Sequence, residues 1–184
     1  MRKYIQLVVV FLLAVILSGC GNDHADSHHN GDKPKTAKVI NWKKSSQNKP
    51  YPKITTKNAR YILVSLKKQR VYIMSPNNRV LYTMYASTGI HNSTPKGTYH
   101  IQQEHGNFFY NGKSREGARY WTSWKDHGIY LFHTVPTNAK GQYIKSEAAH
   151  LGKRANSHGC IRLSIPDAKW INRTVPVGTK VKIV

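Results

Sequence analysis

Short apolar segments separated by turn residues run through most of the chain, and they limit its fold more than any other feature. The first three segments cover residues 61–66, 70–74 and 79–86, and they are rich in β-branched and aromatic residues. Lys67-Lys68 and Pro76-Asn77-Asn78 separate them as turns. Runs this short, joined this closely, predict a β-meander.

The rest of this region adds further strands and two helices. We predict strands at 98–102 and 128–133, and a closing turn and strand within 177–184. A short helix is expected at 146–151, ended by Gly152, and a second is expected to begin at the capping box Ser164-Ile165-Pro166-Asp167. The expected fold is mainly β, a β-sandwich or meander with two short helices, in one domain over 58–184.

The N-terminal residues have the pattern of an export signal. Two charged residues precede an apolar run from Ile5 to Leu17, which is shorter than the roughly 20 residues of a membrane-spanning helix. The run ends in Leu-Ser-Gly-Cys, which resembles a bacterial lipoprotein signal. The resemblance implies that residues 1–19 are removed and that Cys20 becomes a lipidated N-terminus. The alternative is an ordinary signal peptide cleaved nearby.

Residues 20–57 are expected to form a flexible basic tether. This segment is polar, contains many Lys, Asn, Ser and Pro residues, and has little apolar periodicity. Its histidines, His24, His28 and His29, could bind a metal weakly, but a solvated linker is the preferred interpretation and no metal site is predicted. Residues 39–42 and 50–52 are apolar enough to dock on the domain.

The chain is strongly basic, with 29 Lys and Arg residues against 8 Asp and Glu and a formal net charge of +21. Such a charge bears on partners and solubility rather than on fold. Nucleic acid is disfavoured as a partner because the chain is expected to be exported. Wall polymers and acidic lipid headgroups are the anions outside a cell, although a generally basic solvated surface would also explain the composition.

Cys160 is the only other cysteine, and it lies in the segment Ser157-His158-Gly159-Cys160-Ile161-Arg162-Leu163. With Cys20 lipidated, Cys160 has no disulfide partner. It is then either buried and inert or reactive. Its histidine, glycine and arginine neighbours favour a reactive thiol, because a base or a positive field is needed to form a thiolate.

Two histidines are candidates for the base that serves this thiol. His133 ends the apolar strand 128–133 and is followed by Thr134. His158 is two residues from Cys160, but closeness in sequence does not ensure a geometry suited to proton transfer. His133 could equally be a hydrogen-bonded core histidine.

These residues resemble the L,D-transpeptidase (YkuD-type) catalytic domain, whose pattern is an upstream histidine, a spacer and Ser/Thr-His-Gly-Cys. Ala86-Ser87-Thr88-Gly89 and Thr94-Pro95-Lys96-Gly97-Thr98-Tyr99 are similar to further elements of that family. Phe132-His133, Asp167-Ala168 and Val177-Gly178-Thr179-Lys180-Val181 agree as well. The resemblance covers about residues 59–184. The spacer between His133 and Ser157 is longer than usual, with the extra residues expected within 137–145.

The resemblance implies roles for individual residues. Cys160 would be the nucleophile and His133 the base, with the Thr134 carbonyl orienting the imidazole. The Cys160 N–H, with Gly159, would help to form an oxyanion hole. The supporting and substrate-binding residues that the resemblance implies are Ser157, His158, Arg162, Tyr120 and Trp121. Arg162 would meet a substrate carboxylate or form a structural ion pair, and Tyr120 and Trp121 would form a lid or be ordinary core aromatics.

The reaction that the resemblance implies is the formation of 3→3 cross-links between peptidoglycan stem peptides, through a Cys160 thioester and with no metal or organic cofactor. Transfer to water would make the enzyme an L,D-carboxypeptidase. The expected location is the outer face of the cytoplasmic membrane, with the lipid at Cys20 as anchor and the wall as neighbour.

Three alternatives differ in class. A sortase also uses Cys, His and Arg, but its nucleophile follows Thr-Leu-x-Thr, and Arg162 is too near Cys160. A papain-like hydrolase places its cysteine before its histidine, and no histidine follows Cys160 here. A non-catalytic wall-binding lipoprotein would explain the charge and the tether but not the Cys-His pair.

Overall fold

The computed structural model describes residues 39–184. The predicted signal peptide, Cys20 and the histidines His24, His28 and His29 lie outside the described residues. No helix within 39–184 has the length and apolar character needed to cross a membrane.

The described residues form nine strands, two α-helices and a short 3₁₀ turn at Ile90–Asn92. The strands are β1 (Tyr61–Ser65), β2 (Arg70–Met74), β3 (Val80–Ser87), β4 (Gly97–His100), β5 (His105–Asn111), β6 (Glu116–Lys125), β7 (Tyr130–Thr134), β8 (Ile161–Leu163) and β9 (Lys180–Ile183), and the helices are α1 (Lys145–Ala148) and α2 (Ile165–Thr174).

One mixed sheet contains all of these strands, in the order β4-β9-β1-β2-β3-β8-β7-β6-β5. The predicted meander is confirmed, since β1, β2 and β3 pair antiparallel in sequence. Two pairs are parallel, β1 with β9 and β7 with β8. The sheet curls until β4 contacts β6. The prediction of a mainly β fold with two short helices is therefore confirmed, in the form of one curled sheet.

Helix α2 closes the core of the curled sheet. Ala168 and Ile171 on its inner side are fully buried against strand residues that include Trp124 and Phe132. The predicted cap is present, because the Ser164 side chain accepts a hydrogen bond from the Asp167 N–H and a proline stands in the first turn. Since α2 follows β8 directly, its burial also fixes the strand that begins just after Cys160.

Residues 39–57, expected to belong to the tether, lie against the domain. The reason is the buried carboxylate of Asp167, which accepts hydrogen bonds from the Ser46 hydroxyl at 2.5 Å and the Tyr51 hydroxyl at 2.7 Å. Tyr51 also stacks on Trp170, with ring centroids 5.0 Å apart. Burial raises the pKa of Asp167, and the hydroxyl donors oppose that shift. The ordered structure thus begins before residue 58, the expected domain boundary.

Candidate active site

A tight turn over residues 157–160 presents the cysteine at the start of β8. The Ser157 hydroxyl donates to the Cys160 carbonyl at 2.5 Å and accepts from the Gly159 N–H at 3.1 Å. Ser157 is buried, whereas His158 between these contacts is exposed. The two hydrogen bonds hold the turn, so the position of the Cys160 side chain is set by the backbone around it.

Gly159 is required by both conformation and space. Its φ is +140°, a region that residues with a Cβ rarely adopt. A Cβ at this position would also lie 3.0 Å from the Ser93 carbonyl oxygen and 3.0 Å from a ring carbon of Tyr130. The turn before Cys160 is therefore packed from both sides.

The segments 86–89 and 94–97, which are similar to further elements of the family, form hydrogen bonds with this turn. The buried Thr94 hydroxyl donates to the Gly159 carbonyl at 2.8 Å and accepts from the Gly89 N–H at 2.7 Å. The Thr88 carbonyl accepts the Ser157 N–H at 3.0 Å. These groups position the turn over residues 157–160, but Thr88, Gly89 and Thr94 do not line the cavity into which Cys160 opens.

His133 lies on β7, the parallel neighbour of β8, where its Cα pairs with that of Arg162. Its Nδ1 is 2.6 Å from the Thr134 carbonyl oxygen, so Nδ1 carries the proton and donates it there. The Nε2 lone pair is left available. The structure therefore places the Thr134 carbonyl where it fixes the tautomer and orientation of the ring.

The pKa values of His133 and Cys160 are displaced in opposite directions from their ordinary values. Burial, with the Arg162 guanidinium nearby, lowers the pKa of His133 to about 4. Burial raises the pKa of the Cys160 thiol to about 11, although the Leu131 backbone and Arg162 act in the other direction. At neutral pH the resting site thus holds a neutral imidazole and a neutral thiol rather than a preformed ion pair.

Cys160 and His133 open into one cavity of about 440 Å³. Of the residues predicted from the sequence, the ones that line it are Trp121, His133, Ser157, His158, Gly159, Cys160 and Arg162. The Cys160 sulfur lies 3.6 Å from the carbonyl oxygen of Ile129, which also lines the cavity. A thiol and an oriented imidazole that open into one cavity are the two groups that acyl transfer through a cysteine requires.

Arg162 takes the second of the two roles left open for it. Its guanidinium lies 2.7 Å from a Glu116 carboxylate oxygen and 2.6 Å from a Glu147 carboxylate oxygen, and its side chain is 3% exposed. Both terminal nitrogens are therefore engaged and shielded from solvent. The geometry therefore favours the structural ion pair over contact with a substrate carboxylate, although Arg162 also lines the cavity.

The oxyanion-hole expectation changes in one respect. The Gly159 N–H donates to the Ser157 hydroxyl and so is not free for a developing oxyanion. No acceptor for the Cys160 N–H is found within residues 39–184. Of the two amides suggested from the sequence, only that of Cys160 remains available.

Trp121 and Tyr120, proposed together as a lid, separate in the structure. Trp121 lines the cavity. Tyr120 packs against the core cluster, and the Lys169 Nζ of α2 lies 5.8 Å from its ring centroid. Tyr120 has a positive φ of 53°, which is irregular for a residue within a strand such as β6. The regular alternation of side chains between the two faces of the sheet is therefore interrupted at Tyr120, next to Trp121. Tyr120 therefore belongs to the core, the alternative that the sequence had left open.

The β5–β6 hairpin forms one wall of the cavity and was missed by the sequence interpretation. It contributes Glu116 and Phe109 to the lining. The rings of Phe109 and His133 pack edge to face, with their centroids 5.7 Å apart. The longer loop expected within 137–145 braces this hairpin, because Thr137 and Gly117 exchange backbone hydrogen bonds of 2.7 and 2.8 Å. The aromatic run Phe108-Phe109-Tyr110 was the available signal for a strand.

The chain is similar to known proteins along most of its length. The YkuD family, described as the L,D-transpeptidase catalytic domain, matches residues 59–183. The Bacillus subtilis (strain 168) protein named "Putative L,D-transpeptidase YciB" is 41% identical over 198 residues, covering 100% of both chains.

Solved structures share the fold. One is LD transpeptidase LdtMt1 in complex with imipenem, with a TM-score of 0.55, 23% identity, and 68% of this chain and 59% of that chain covered. Another is an L,D-transpeptidase from Stackebrandtia nassauensis, with a TM-score of 0.52, 19% identity, and coverage of 70% and 57%. This chain thus spans less than two thirds of these solved chains.

Proposed function

The chain belongs to the L,D-transpeptidase catalytic domain family, and from that premise we propose that it joins peptidoglycan stem peptides by 3→3 cross-links through a thioester on Cys160. The observation that carries the proposal is the His133 ring, which is tied through Nδ1 to the Thr134 carbonyl and shares a cavity with the Cys160 thiol. This leaves an unprotonated imidazole nitrogen for the thiol proton.

In the acylation step, the Cys160 sulfur attacks the carbonyl between the diamino acid and the terminal D-alanine of a tetrapeptide stem. Since the thiol has a raised pKa and His133 a lowered one, the proton moves to Nε2 as the carbon–sulfur bond forms. The Cys160 N–H stabilises the developing oxyanion. His133 then returns the proton to the departing D-alanine nitrogen as the carbon–nitrogen bond breaks.

In the second step, the amine of a neighbouring stem attacks the thioester. His133 takes a proton from this amine, and the Cys160 thiolate leaves and is reprotonated. The chemistry uses only an acid–base residue and a nucleophile, and the covalent intermediate divides one difficult displacement into two easier ones. If water replaces the amine, the same steps give an L,D-carboxypeptidase, which we propose as a side activity.

The alternative functions have less support from the geometry. A sortase-like enzyme needs an arginine near the reacting carbonyl, whereas both terminal nitrogens of Arg162 are held by Glu116 and Glu147. A non-catalytic wall-binding protein has no need for a thiol that shares a cavity with an imidazole of fixed tautomer. Both observations favour acyl transfer at Cys160.

The experiment that tests this function is incubation of the purified protein with tetrapeptide-containing wall fragments, followed by muramidase digestion and mass spectrometry. We expect 3→3 cross-linked dimers and released D-alanine. Tripeptide products without dimers would show that hydrolysis dominates. Neither product, from a protein whose Cys160 is acylated by a carbapenem, would contradict the proposed substrate while leaving the thiol chemistry intact.

We also propose that the protein is a lipoprotein anchored at Cys20 on the outer face of the cytoplasmic membrane. The support is the short apolar run that ends in Leu-Ser-Gly-Cys. We expect mass spectrometry of the membrane-extracted protein to show a mature chain that begins at an acylated Cys20. A Cys20→Ala variant should lose the acyl mass and leave the membrane fraction. An unacylated mature chain beginning elsewhere would refute the anchor.

A further inference from the structure

The described part of the chain has almost no acidic side chain left to neutralise its surface. Its side-chain carboxylates are those of Glu104, Glu116, Asp126, Glu147 and Asp167, and each has a partner within the domain: His127, Arg162, Lys125, Arg162 and the Ser46–Tyr51 pair, respectively. Within residues 39–184, the only Lys or Arg side chains in these ion pairs are Lys125 and Arg162. The other Lys and Arg side chains of residues 39–184 form no ion pair with a carboxylate.

Some of these cations surround a second cavity, at the start of β9 and away from Cys160. It has a volume of about 350 Å³ and is lined by Thr55, Thr56, Ala59, Arg60, Val177, Gly178, Thr179 and Lys180. The charged groups in this lining are both positive, and hydroxyls stand beside them. Such a set of donors is complementary to a phosphate oxyanion, which accepts several hydrogen bonds at once.

The cations of this cavity are positioned by contacts other than ion pairs. Lys180 Nζ lies 4.6 Å from the centroid of the Tyr61 ring, a cation–π arrangement that leaves its N–H groups free for an anion. One guanidinium N–H of Arg60 donates a hydrogen bond to the Lys53 carbonyl oxygen, at a nitrogen–oxygen distance of 2.5 Å. The site therefore has charge held in place but not neutralised.

The positive charge continues from the cavity along the sheet. Lys182 lies two residues after Lys180 and is exposed on the same side of β9, about 7 Å further along the strand. His100 of β4 pairs directly with Lys180. We call the cations Arg60, Lys180 and Lys182, together with the neighbouring His100, the β9 face. A row of this kind favours a ligand with repeated negative charges.

Building on the proposed wall function, we propose that the β9 face binds a phosphodiester-linked anionic polymer of the cell wall. The support is charge complementarity between a repeated anion and cations that no carboxylate neutralises, together with a concave site lined by two of these cations and by hydroxyls. A membrane surface presents a plane of headgroups and would leave the concave site unused. The polymer therefore matches the shape as well as the charge.

The β9 face and the catalytic cavity are separate sites. Strands β1, β2 and β3 lie between β9 and β8 in the sheet, and the linings of the two cavities share no residue. A bound polymer would thus hold the domain at the wall with the Cys160 cavity open. Retention there would raise the effective concentration of stem peptides around the enzyme.

The test is co-sedimentation of the full-length protein with purified walls, before and after removal of phosphodiester polymers with hydrogen fluoride. A Cys160→Ala background prevents covalent attachment. The variant Arg60→Gln/Lys180→Gln/Lys182→Gln should bind intact walls at least about tenfold more weakly than the parent. The parent should bind stripped walls about as weakly as this variant does, and its binding to intact walls should fall as salt is added.

The matched control removes the same charge elsewhere. Lys140, Lys145 and Lys153 are exposed and lie outside the β9 face, so Lys140→Gln/Lys145→Gln/Lys153→Gln should retain most wall binding. Equal losses in the two triple variants would overturn the proposal in favour of general basicity. The proposal would also be overturned if the parent bound stripped walls as well as it binds intact walls. Binding to phosphatidylglycerol vesicles is measured in parallel, and a β9-face variant that lost only vesicle binding would overturn the proposal in favour of a membrane surface.

Folding and catalysis are followed separately from binding. With Cys160 restored, the Arg60→Gln/Lys180→Gln/Lys182→Gln variant should be acylated by a carbapenem at the rate of the protein with the unsubstituted sequence. Wall binding with no cross-linking would refute the proposed reaction and leave the β9 face in place. Cross-linking by a protein whose wall binding does not depend on the β9 face would refute the β9-face proposal and leave the proposed reaction in place.

Discussion

The Cys160→Ser variant is expected to form no 3→3 dimers and release no D-alanine, a loss of more than roughly 10⁴-fold in turnover. A serine hydroxyl is far harder to ionise than a thiol, and the site offers it only a weak base, since burial lowers the pKa of His133 to about 4. The measurement is product formation from tetrapeptide stems by mass spectrometry, with carbapenem acylation of the intact protein as a second readout.

The substitution should leave the fold intact. The serine hydroxyl is smaller than the thiol, and Cys160 is only partly buried. The turn is held by hydrogen bonds of the Ser157 hydroxyl to the Cys160 carbonyl and the Gly159 N–H, and neither involves the sulfur. Unfolding temperature should therefore change little. If a folded Cys160→Ser protein still cross-links stems, the nucleophile has been assigned wrongly.

The His133→Ala variant is expected to acylate about 10²–10⁴-fold more slowly at neutral pH, the usual contribution of a general base. The ring is buried, is fixed by its hydrogen bond to the Thr134 carbonyl, and faces the same cavity as the thiol. The measurement is the rate of carbapenem adduct formation. His133→Gln, which keeps a polar side chain of similar size, separates loss of the base from loss of packing.

The pH dependence should distinguish this role from a structural one. The pKa of His133 is about 4 and that of Cys160 about 11, so between them the imidazole is unprotonated and the thiol protonated. The parent's acylation rate should vary little from about pH 6 to 9. In His133→Ala only the free thiolate can react, so the rate should rise about tenfold per pH unit toward the thiol pKa.

His158→Ala is the control for position. His158 is exposed at the mouth of the cavity and makes none of the hydrogen bonds that hold the turn. Its replacement should alter acylation less than that of His133 and should preserve the flat pH profile. If His158→Ala were not acylated while His133→Ala was acylated at the parent's rate, His158 rather than His133 would be the general base.

The sequence was sufficient to single out the segment 157–163 that carries Cys160. The tight turn at its start was not predicted, although it depends on local features, the Ser157 hydroxyl and the positive φ of Gly159. The meander of β1 to β3 was predictable, since its strands are apolar and separated by clear turns. His133 could be picked out because it ends a buried strand.

The features that were missed depend on contacts between distant segments. Arg162 could not be assigned to Glu116 or Glu147 from spacing, because one carboxylate comes from β6 and the other from α1. The β5–β6 hairpin mixes exposed aromatic and polar residues, so its alternation is weak. The positive φ at Tyr120 breaks the pattern that would have separated Tyr120 from Trp121.

The contact between Asp167 and the segment before residue 58 means that the unit of folding is longer than the region matched by the family. The family match begins at residue 59, yet the buried Asp167 carboxylate finds its hydroxyl donors at Ser46 and Tyr51. A protein trimmed to the matched region would leave that carboxylate without them, at a cost of about 1–3 kcal/mol or more. A stable catalytic fragment should therefore begin no later than residue 46.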